Sequence, residues 1–152
     1  MNRSAARLLQ AATVLLGIAV FGFLLWEPNV EGRNAHATLF EVYFNDPFLA
    51  CAYTASVPFF VALYQAFRLF GDAGRNDLVS PRSLSALRTI RHCALLIIGC
   101  VLVAEAYLFI VVRGQDDIAG GVAMGIVVAM FSAIAATMTA LFERNLQTHI
   151  LT

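Results

Sequence analysis

The stretch IAGGVAMGIVVAMFSAIAATMTALF, residues 118–142, decides the class of fold to which this chain belongs. It contains no charged residue. At about 1.5 Å per residue, a helix of this length exceeds the roughly 30 Å hydrocarbon thickness of a bilayer. Backbone groups in hydrocarbon must be hydrogen-bonded within the protein, and a single apolar segment achieves this as a helix. We therefore predict that residues 118–142 cross a membrane as an α-helix.

Three further apolar stretches are long enough to cross, at about residues 8–26, 48–70 and 90–112. The composition agrees, since 60% of the 152 residues are hydrophobic and 13% are charged, against roughly 45–50% and about 25% in soluble domains. The predicted fold is all-α, a single integral-membrane four-helix bundle over the whole chain. The first span is longer than the apolar region of a signal peptide, so we expect an uncleaved anchor.

Local residues predict where these helices begin and end. A capping residue followed by proline favours a helix start, and glycine favours a helix end. The predicted starts are Asp46–Pro47, Ser80–Pro81 and Asp116–Asp117, and the predicted ends are Gly71 and Gly114.

The arginines predict the orientation, because all ten basic residues are arginine and they are unevenly placed. Arg33 and Arg113 lie at one end of the predicted spans. The other eight lie at the opposite end: Arg3, Arg7, Arg68, Arg75, Arg82, Arg88, Arg91 and Arg144. Since positive residues favour the cytoplasmic side, both termini and the middle connection are predicted to be cytoplasmic.

Several function classes are disfavoured. A formal net charge of zero argues against direct binding of nucleic acid, which needs a basic surface. Cys51, Cys93 and Cys100 form no pairing or zinc pattern. His92 and His149 make a poor haem pair because His149 lies beyond the last apolar run. No nucleophile–base pair, phosphate loop or metal-ligand spacing is visible, so we expect no enzyme activity, cofactor or metal.

The first outer loop contains ATLFEVYFNDPF, residues 37–48. Its apolar side chains are spaced along one face of a helix, with Glu41 and Asn45 off that face: Leu39, Phe40, Tyr43 and Phe44. We predict a short interfacial helix on the outer membrane surface. It is either an aromatic anchor or a lid that contacts a ligand.

The inner connection ends in a helix start that carries Arg82, Arg88 and Arg91. Its apolar face is formed by Leu84, Leu87 and Ile90. Two interpretations remain open. The arginines are a helix end that binds anionic lipid, or they dock a cytoplasmic partner.

Glu105 is the one ionisable residue deep in an apolar run, VLVAEAYLFIVV, residues 101–112. An acid at that depth is costly and should face other helices. Residues at similar depth in the second span are its candidate partners: Tyr53, Thr54 and Ser56. Pro58 also removes the helical hydrogen bond to the Thr54 carbonyl. Glu105 is then a neutral structural group, a proton-responsive or ligand-binding site, or an oligomer contact.

Small residues line the fourth span. Gly121 and Gly125 form a G-x-x-x-G motif, which permits close approach of helices. The stripe continues through Ala129, Ala133, Ala136 and Ala140. It indicates close packing inside the bundle or a homo-oligomer through the Gly121–Gly125 face.

Two segments, VPFFVALYQAFRLF (residues 57–70) and SPRSLSALRTIRHCALLI (residues 80–97), resemble the domain of unknown function 2975 family of small bacterial membrane proteins. The resemblance implies a four-helix protein of the bacterial inner membrane with no established activity. It also implies a gene neighbour encoding a small helix-turn-helix regulator. No site residues come with the resemblance.

Two functional hypotheses follow. The first is a regulatory or sensory interaction protein that acts through its cytoplasmic arginine-bearing connection. The second is a small transporter, channel or transport accessory that uses Glu105 as a proton or cation site. The first is favoured because stand-alone transporters usually show internal repeats and broken helices.

Overall fold

The computed structural model of the chain describes residues 2–26, 47–112 and 118–151, together with Thr38 and Phe40. These residues form four long helices: α1 (Arg3–Trp26), α2 (Pro47–Gly74), α3 (Pro81–Tyr107) and α4 (Ala119–Leu151). A π-helical turn, Leu108–Val112, continues α3. In the described part of the chain all four helices are long and apolar enough to cross a membrane. The predicted all-α membrane fold is confirmed.

The helices pack in chain order, α1 on α2, α2 on α3 and α3 on α4. α3 lies in the middle and holds most of the buried apolar residues: Ala86, Leu87, Ile90, Cys93, Ala94, Ile97 and Ala104. The large apolar side chains of α1 and α4 are mostly exposed. Such surfaces are suited to contact with lipid rather than water.

Glycines set the contact between α1 and α2, which run antiparallel. A Cβ at Gly74 would lie 2.6 Å from the Ala6 Cβ, and one at Gly71 would lie 2.9 Å from Gln10 Nε2. Gln10 Nε2 also donates to the Phe67 carbonyl at 3.1 Å. The sequence predicted that Gly71 ends the helix, and this is wrong, because α2 continues to Gly74. Gly71 instead gives α1 room to approach α2.

The end of α2 is set by Asn76, which has a φ of 59°. Its N–H donates to the Ala73 carbonyl at 3.3 Å, and the Asp77 N–H donates to the Asp72 carbonyl at 2.9 Å. This pair of bonds around a left-handed residue is a Schellman motif, in which asparagine can replace glycine. It satisfies carbonyls that the last helical turn leaves without a partner.

The start of α3 is the predicted one. The Ser80 hydroxyl accepts a hydrogen bond from the Ser83 N–H at 3.3 Å, and Pro81 occupies the first turn. From there α3 continues without a break into the span predicted at residues 90–112. The inner connection is therefore only the short segment between Gly74 and Pro81.

Other predicted boundaries agree or lie outside the described residues. Pro47 begins α2 as predicted, and α4 extends to Leu151, beyond the predicted end of its apolar run. Several predicted features fall outside the described part of the chain: the caps Asp46, Asp116 and Asp117, the helix end Gly114, and Leu39, Tyr43 and Phe44 of the interfacial helix.

The α1–α2 contact predicts that Gly74→Ala is destabilising. The added methyl group would overlap Ala6, and relieving such overpacking typically costs about 1–3 kcal/mol. Gly22→Ala is the matched control, because a Cβ at Gly22 meets nothing within 4 Å. Thermal unfolding of both variants in the same detergent should show a lower midpoint for Gly74→Ala alone. Equal midpoints would contradict this account of the contact.

Candidate functional site in the interface between α3 and α4

Glu105 points from α3 towards α4, where it lies against Gly125. A Cβ at Gly125 would overlap Glu105 Oε1 and would lie 2.9 Å from the carboxyl carbon. The absence of a side chain at Gly125 therefore creates the space that the carboxyl group occupies. Neither Glu105 oxygen reaches the surface, and neither makes a hydrogen bond within the described residues. An unsatisfied buried polar group costs about 1–3 kcal/mol, and a charged one costs more.

The hydroxyls that were predicted to meet Glu105 bond to backbone carbonyls instead. Tyr53 donates to Leu24 on α1 at 2.5 Å. Thr54 donates to Ala50 at 2.8 Å, and Ser56 donates to Tyr53 at 2.6 Å. Short hydroxyl side chains in helices often bond back to the preceding turn in this way. The predicted hydrogen bonds from Glu105 to these hydroxyls or to the Thr54 carbonyl are therefore not present.

Thr54 instead lines a lateral groove of about 740 Å³ between α2 and α3. The groove is open and almost wholly apolar, and α3 contributes most of its wall: His92, Leu95, Leu96, Gly99, Cys100 and Val103. Glu105 is not among the lining residues. The groove and the carboxyl group thus lie on different sides of α3.

A second acid, Glu143, lies at the other end of the same interface and was not singled out from the sequence. It is 6% exposed. Arg88 Nε donates to its Oε1 at 2.7 Å, and Arg91 Nη1 lies 2.9 Å from its Oε2. The second contact lacks the alignment of a hydrogen bond and is ionic. Gln147 Nε2 also approaches Oε1 at 3.5 Å.

The antiparallel register was the signal that would have revealed Glu143. Glu143 lies 18 residues beyond Gly125, and Arg88 lies 17 residues before Glu105. Because both helices rise by the same distance per residue, a contact between Glu105 and Gly125 implies that Arg88 and Glu143 also lie side by side. That register is not visible without the first contact.

The three predicted docking arginines therefore differ. Arg88 and Arg91 are held by Glu143, with 49% and 34% of their side chains exposed. Arg82 is exposed and makes no ion pair with a described residue. It follows a short turn in which Leu78 and Val79 are also exposed.

The small-residue stripe of α4 is only partly in this interface. Gly125 lies in it, against Glu105. Ala129, Ala136 and Ala140 are half-buried, whereas Ala133 is exposed. The most buried residues of α4 are polar: Ser132, Thr139 and Glu143. The hydroxyls of Ser132 and Thr139 are small enough to allow close approach of helices.

The described residues contain no cluster of three or more histidine, cysteine or acidic side chains that would hold a metal ion. His92 and His149 are both exposed, and the His92 ring pairs with the Arg88 carbonyl at 2.7 Å. Cys51, Cys93 and Cys100 are free thiols. Among the described residues, the two acids with buried carboxyl oxygens, Glu105 and Glu143, both lie in the α3–α4 interface.

Comparisons with known proteins identify the family of the chain. The sequence model of the family described as protein of unknown function (DUF2975) matches residues 32–148, which include Glu105, Gly125 and Glu143. The chain is also 29% identical over 148 residues to the uncharacterized membrane protein YoaS of Bacillus subtilis (strain 168). That match covers 97% of this chain and 92% of the relative. No solved structure matches. The predicted family resemblance is confirmed.

The Glu143 contacts predict an asymmetry between two sets of variants. Arg88→Gln with Arg91→Gln leaves a buried carboxylate without a cation, a loss that typically costs about 3–5 kcal/mol. Glu143→Gln should cost less, because water or lipid phosphate can solvate the half-exposed arginines. The measurement is thermal unfolding in one detergent, with Arg82→Gln as the neutral control. A larger loss for Glu143→Gln than for the double variant would contradict this assignment.

Proposed function

The chain belongs to the DUF2975 family of proteins of unknown function, and from this premise we propose that it is a regulatory membrane protein that binds a cytoplasmic partner. The binding site is the inner-loop surface, which we define as Arg75, Leu78, Val79 and Arg82. The observation that carries the proposal is the exposure of Leu78 and Val79, 37% and 56% respectively, between two exposed arginines.

This surface has the composition of a protein-binding site. Leu78 and Val79 lie outside the helices, in a turn that is fixed on one side by the Asn76 motif and on the other by the Ser80 cap. A rigid turn loses little conformational entropy on binding. Arginine is enriched in protein interfaces, where it pairs with acidic groups around an apolar centre. The chemistry therefore fits a partner with an apolar patch flanked by carboxylates.

The partner we propose is a cytoplasmic helix-turn-helix regulator, as the family resemblance implies. The membrane protein would hold or release the regulator and would not contact nucleic acid itself, in keeping with its net charge of zero. Arg88 and Arg91 are not part of the docking surface in this proposal. Their contacts with Glu143 connect the helix that follows the inner-loop surface to α4, so a movement of α4 would reach that surface.

The proposal requires the inner-loop surface to face the cytoplasm of a bacterial cell, with the chain in the cytoplasmic membrane and both termini inside. Its support is the arginine distribution, eight residues at one end of the spans against two at the other.

A second function, a small transporter or transport accessory, has one observation in its favour. Glu105 carries a buried carboxyl group without a hydrogen-bond partner in the described part of the chain, and acids within spans often mark ion pathways. It is the weaker proposal, because a pathway needs polar groups that contact the acid, and neither Glu105 oxygen has a hydrogen-bond partner among the described residues.

The orientation can be measured with reporter fusions. A fluorescent protein that matures only in the cytoplasm, fused after Thr152, should be bright. Alkaline phosphatase at the same position should be inactive, because it requires an exported, oxidising environment. Active phosphatase after Thr152 would reverse the orientation and remove the inner-loop surface from the cytoplasm.

The docking surface can be tested by photo-crosslinking in cells from a reactive amino acid placed at Val79. The expected product contains a cytoplasmic protein with a helix-turn-helix domain. Arg75→Gln with Arg82→Gln should lower its yield at least tenfold. Arg144→Gln is the control, because Arg144 is an exposed arginine at the same end of the bundle but on α4. Crosslinking to lipid alone, or equal yields in both variants, would contradict the proposal.

A further inference from the structure

We propose that the lateral groove between α2 and α3 binds an anionic phospholipid, with one acyl chain in the groove and the phosphate group against Arg88. This inference does not depend on the inner-loop surface or on a protein partner. It rests on the shape and lining of the groove, on the charge at one end of it and on one glycine in its wall.

The first step concerns the kind of group that the groove can hold. Its volume of about 740 Å³ lies within the range of about 300–1,000 Å³ that is typical of ligand sites. The lining is almost wholly apolar, and the Thr54 hydroxyl already donates to the Ala50 carbonyl at 2.8 Å. An apolar cavity gives water few hydrogen-bond partners, so the groove favours a hydrocarbon occupant.

The length of the groove matches an acyl chain in one leaflet. Its wall on α3 extends from His92 to Val103, about 16 Å at 1.5 Å per residue. One leaflet contributes half of the roughly 30 Å hydrocarbon layer, about 15 Å. His92 follows Arg91, whose partner Glu143 lies where the apolar run of α4 ends. The groove therefore begins at the headgroup boundary on the side of the α2–α3 connection, and a chain that enters there reaches the middle of the bilayer.

An excess of positive charge lies where the groove begins. Arg88 and Arg91 share the single carboxylate of Glu143, so this cluster carries one more positive charge than negative charge. Arg88 precedes His92 by one helical turn, and the two therefore lie on the same face of α3. This face is polar at Arg88 and His92 and apolar from Leu95 onwards. A phospholipid has the same order of groups, an anionic headgroup followed by hydrocarbon.

Arg88 can bind a phosphate group without releasing Glu143. Among the described residues, its guanidinium contacts Glu143 through Nε, and 49% of its side chain is exposed. A guanidinium has five N–H donors, and its planar fork suits phosphate oxygens. The Nη groups of Arg88 can therefore bind a lipid phosphate while Nε keeps its contact with Glu143.

A second copy of the chain fits this groove less well than a lipid. Copies in one membrane share one orientation, so a helix of a second copy would bring the arginine-rich end of its own spans to Arg88. Eight of the ten arginines lie at that end, and like charges placed together across an interface are costly. An anionic lipid brings the opposite charge to the same place.

Gly99 allows a direct test of the groove. It lies in the groove wall, and a Cβ there would meet nothing within 4 Å. Gly99→Leu therefore places a side chain in the space of the acyl chain without a clash at its Cβ. Gly22 on α1 is the matched control, because a Cβ there also meets nothing within 4 Å and Gly22 does not line the groove.

The test uses the full-length protein in phosphatidylcholine nanodiscs that contain a small fraction of a photoreactive lipid. The probe is phosphatidylglycerol with a diazirine in one acyl chain, and the reference probe is phosphatidylcholine with the same chain. Mass spectrometry of peptides identifies the labelled residues. The anionic probe should label Leu95, Leu96 and Val103 about fivefold more than the reference probe, because one net charge at a membrane surface favours an anionic lipid by about that factor.

The charge is tested by changing the lipid, because Arg88 also holds Glu143 and its substitution would alter the α3–α4 interface. Gly99→Leu should remove the preferential labelling of the groove, whereas Gly22→Leu should keep it. The comparison of the two probes uses the unmodified chain, so it tests the proposal even if a variant is unstable. Soluble glycerol phosphate, which has no acyl chain, should not compete with the anionic probe.

Four results would overturn the proposal. Both probes could label the groove equally, the label could spread evenly over the exposed faces of α1 and α4, or Gly99→Leu could leave the groove labelling unchanged. Competition by glycerol phosphate would identify a site for a soluble anion instead. A photoreactive amino acid placed at Leu96, which is 61% exposed, should likewise crosslink to lipid. A crosslink from this position to a second copy or to another protein would assign the groove to that occupant and contradict the proposal.

Discussion

The packing of α3 against α4 is the contact on which the arrangement of the spans depends. Two acids lie in this interface, in opposite surroundings. Their levels are about 27 Å apart, the length of α4 from Gly125, which faces Glu105, to Glu143 at 1.5 Å per residue. Glu143 is paired with Arg88 and Arg91, whereas Glu105 lies against Gly125 with no charged partner described. One such contact lies at each end of the interface, and together they show the register of α3 against α4.

The other helices are positioned in turn by α3. Its start is joined to α2 by a turn that is capped on both sides, so α2 has little freedom to slide. α1 then approaches α2 at Gly74, where an added Cβ would overlap Ala6, and at Gly71, where it would meet the Gln10 side chain. The central helix α3 therefore positions its neighbours, and α2 in turn positions α1. α1 and α4 expose broad apolar faces that are suited to contact with lipid.

The spans were predictable because the thickness of a bilayer dictates the length of an apolar run. The start of α3 was predictable because Ser80 and Pro81 act locally. The end of α2 was not, since Gly71 serves the contact with α1 and Asn76 adopts the left-handed conformation instead.

The candidate site was predictable only in part. Glu105 was identified because an acid in an apolar run is conspicuous. Its neighbours were not, because sequence position gives the depth of a residue in the membrane but not the direction in which its side chain points. Tyr53 and Thr54 have the right depth, yet Gly125 faces the carboxyl group. Glu143 follows the apolar run directly and resembles an ordinary helix end until the register of α3 and α4 is known.

The length of α4 has a consequence for the depth of Glu143 in the membrane. α4 has 33 residues, about 50 Å at 1.5 Å per residue, so it is much longer than the roughly 30 Å hydrocarbon layer. Glu143 directly follows the apolar run that ends at Phe142, which puts its ion pairs at the boundary between acyl chains and headgroups. A bilayer thinner or thicker by one helical turn, about 5.4 Å, moves that boundary past the carboxylate. The hydration of this ionic cluster therefore depends on bilayer thickness.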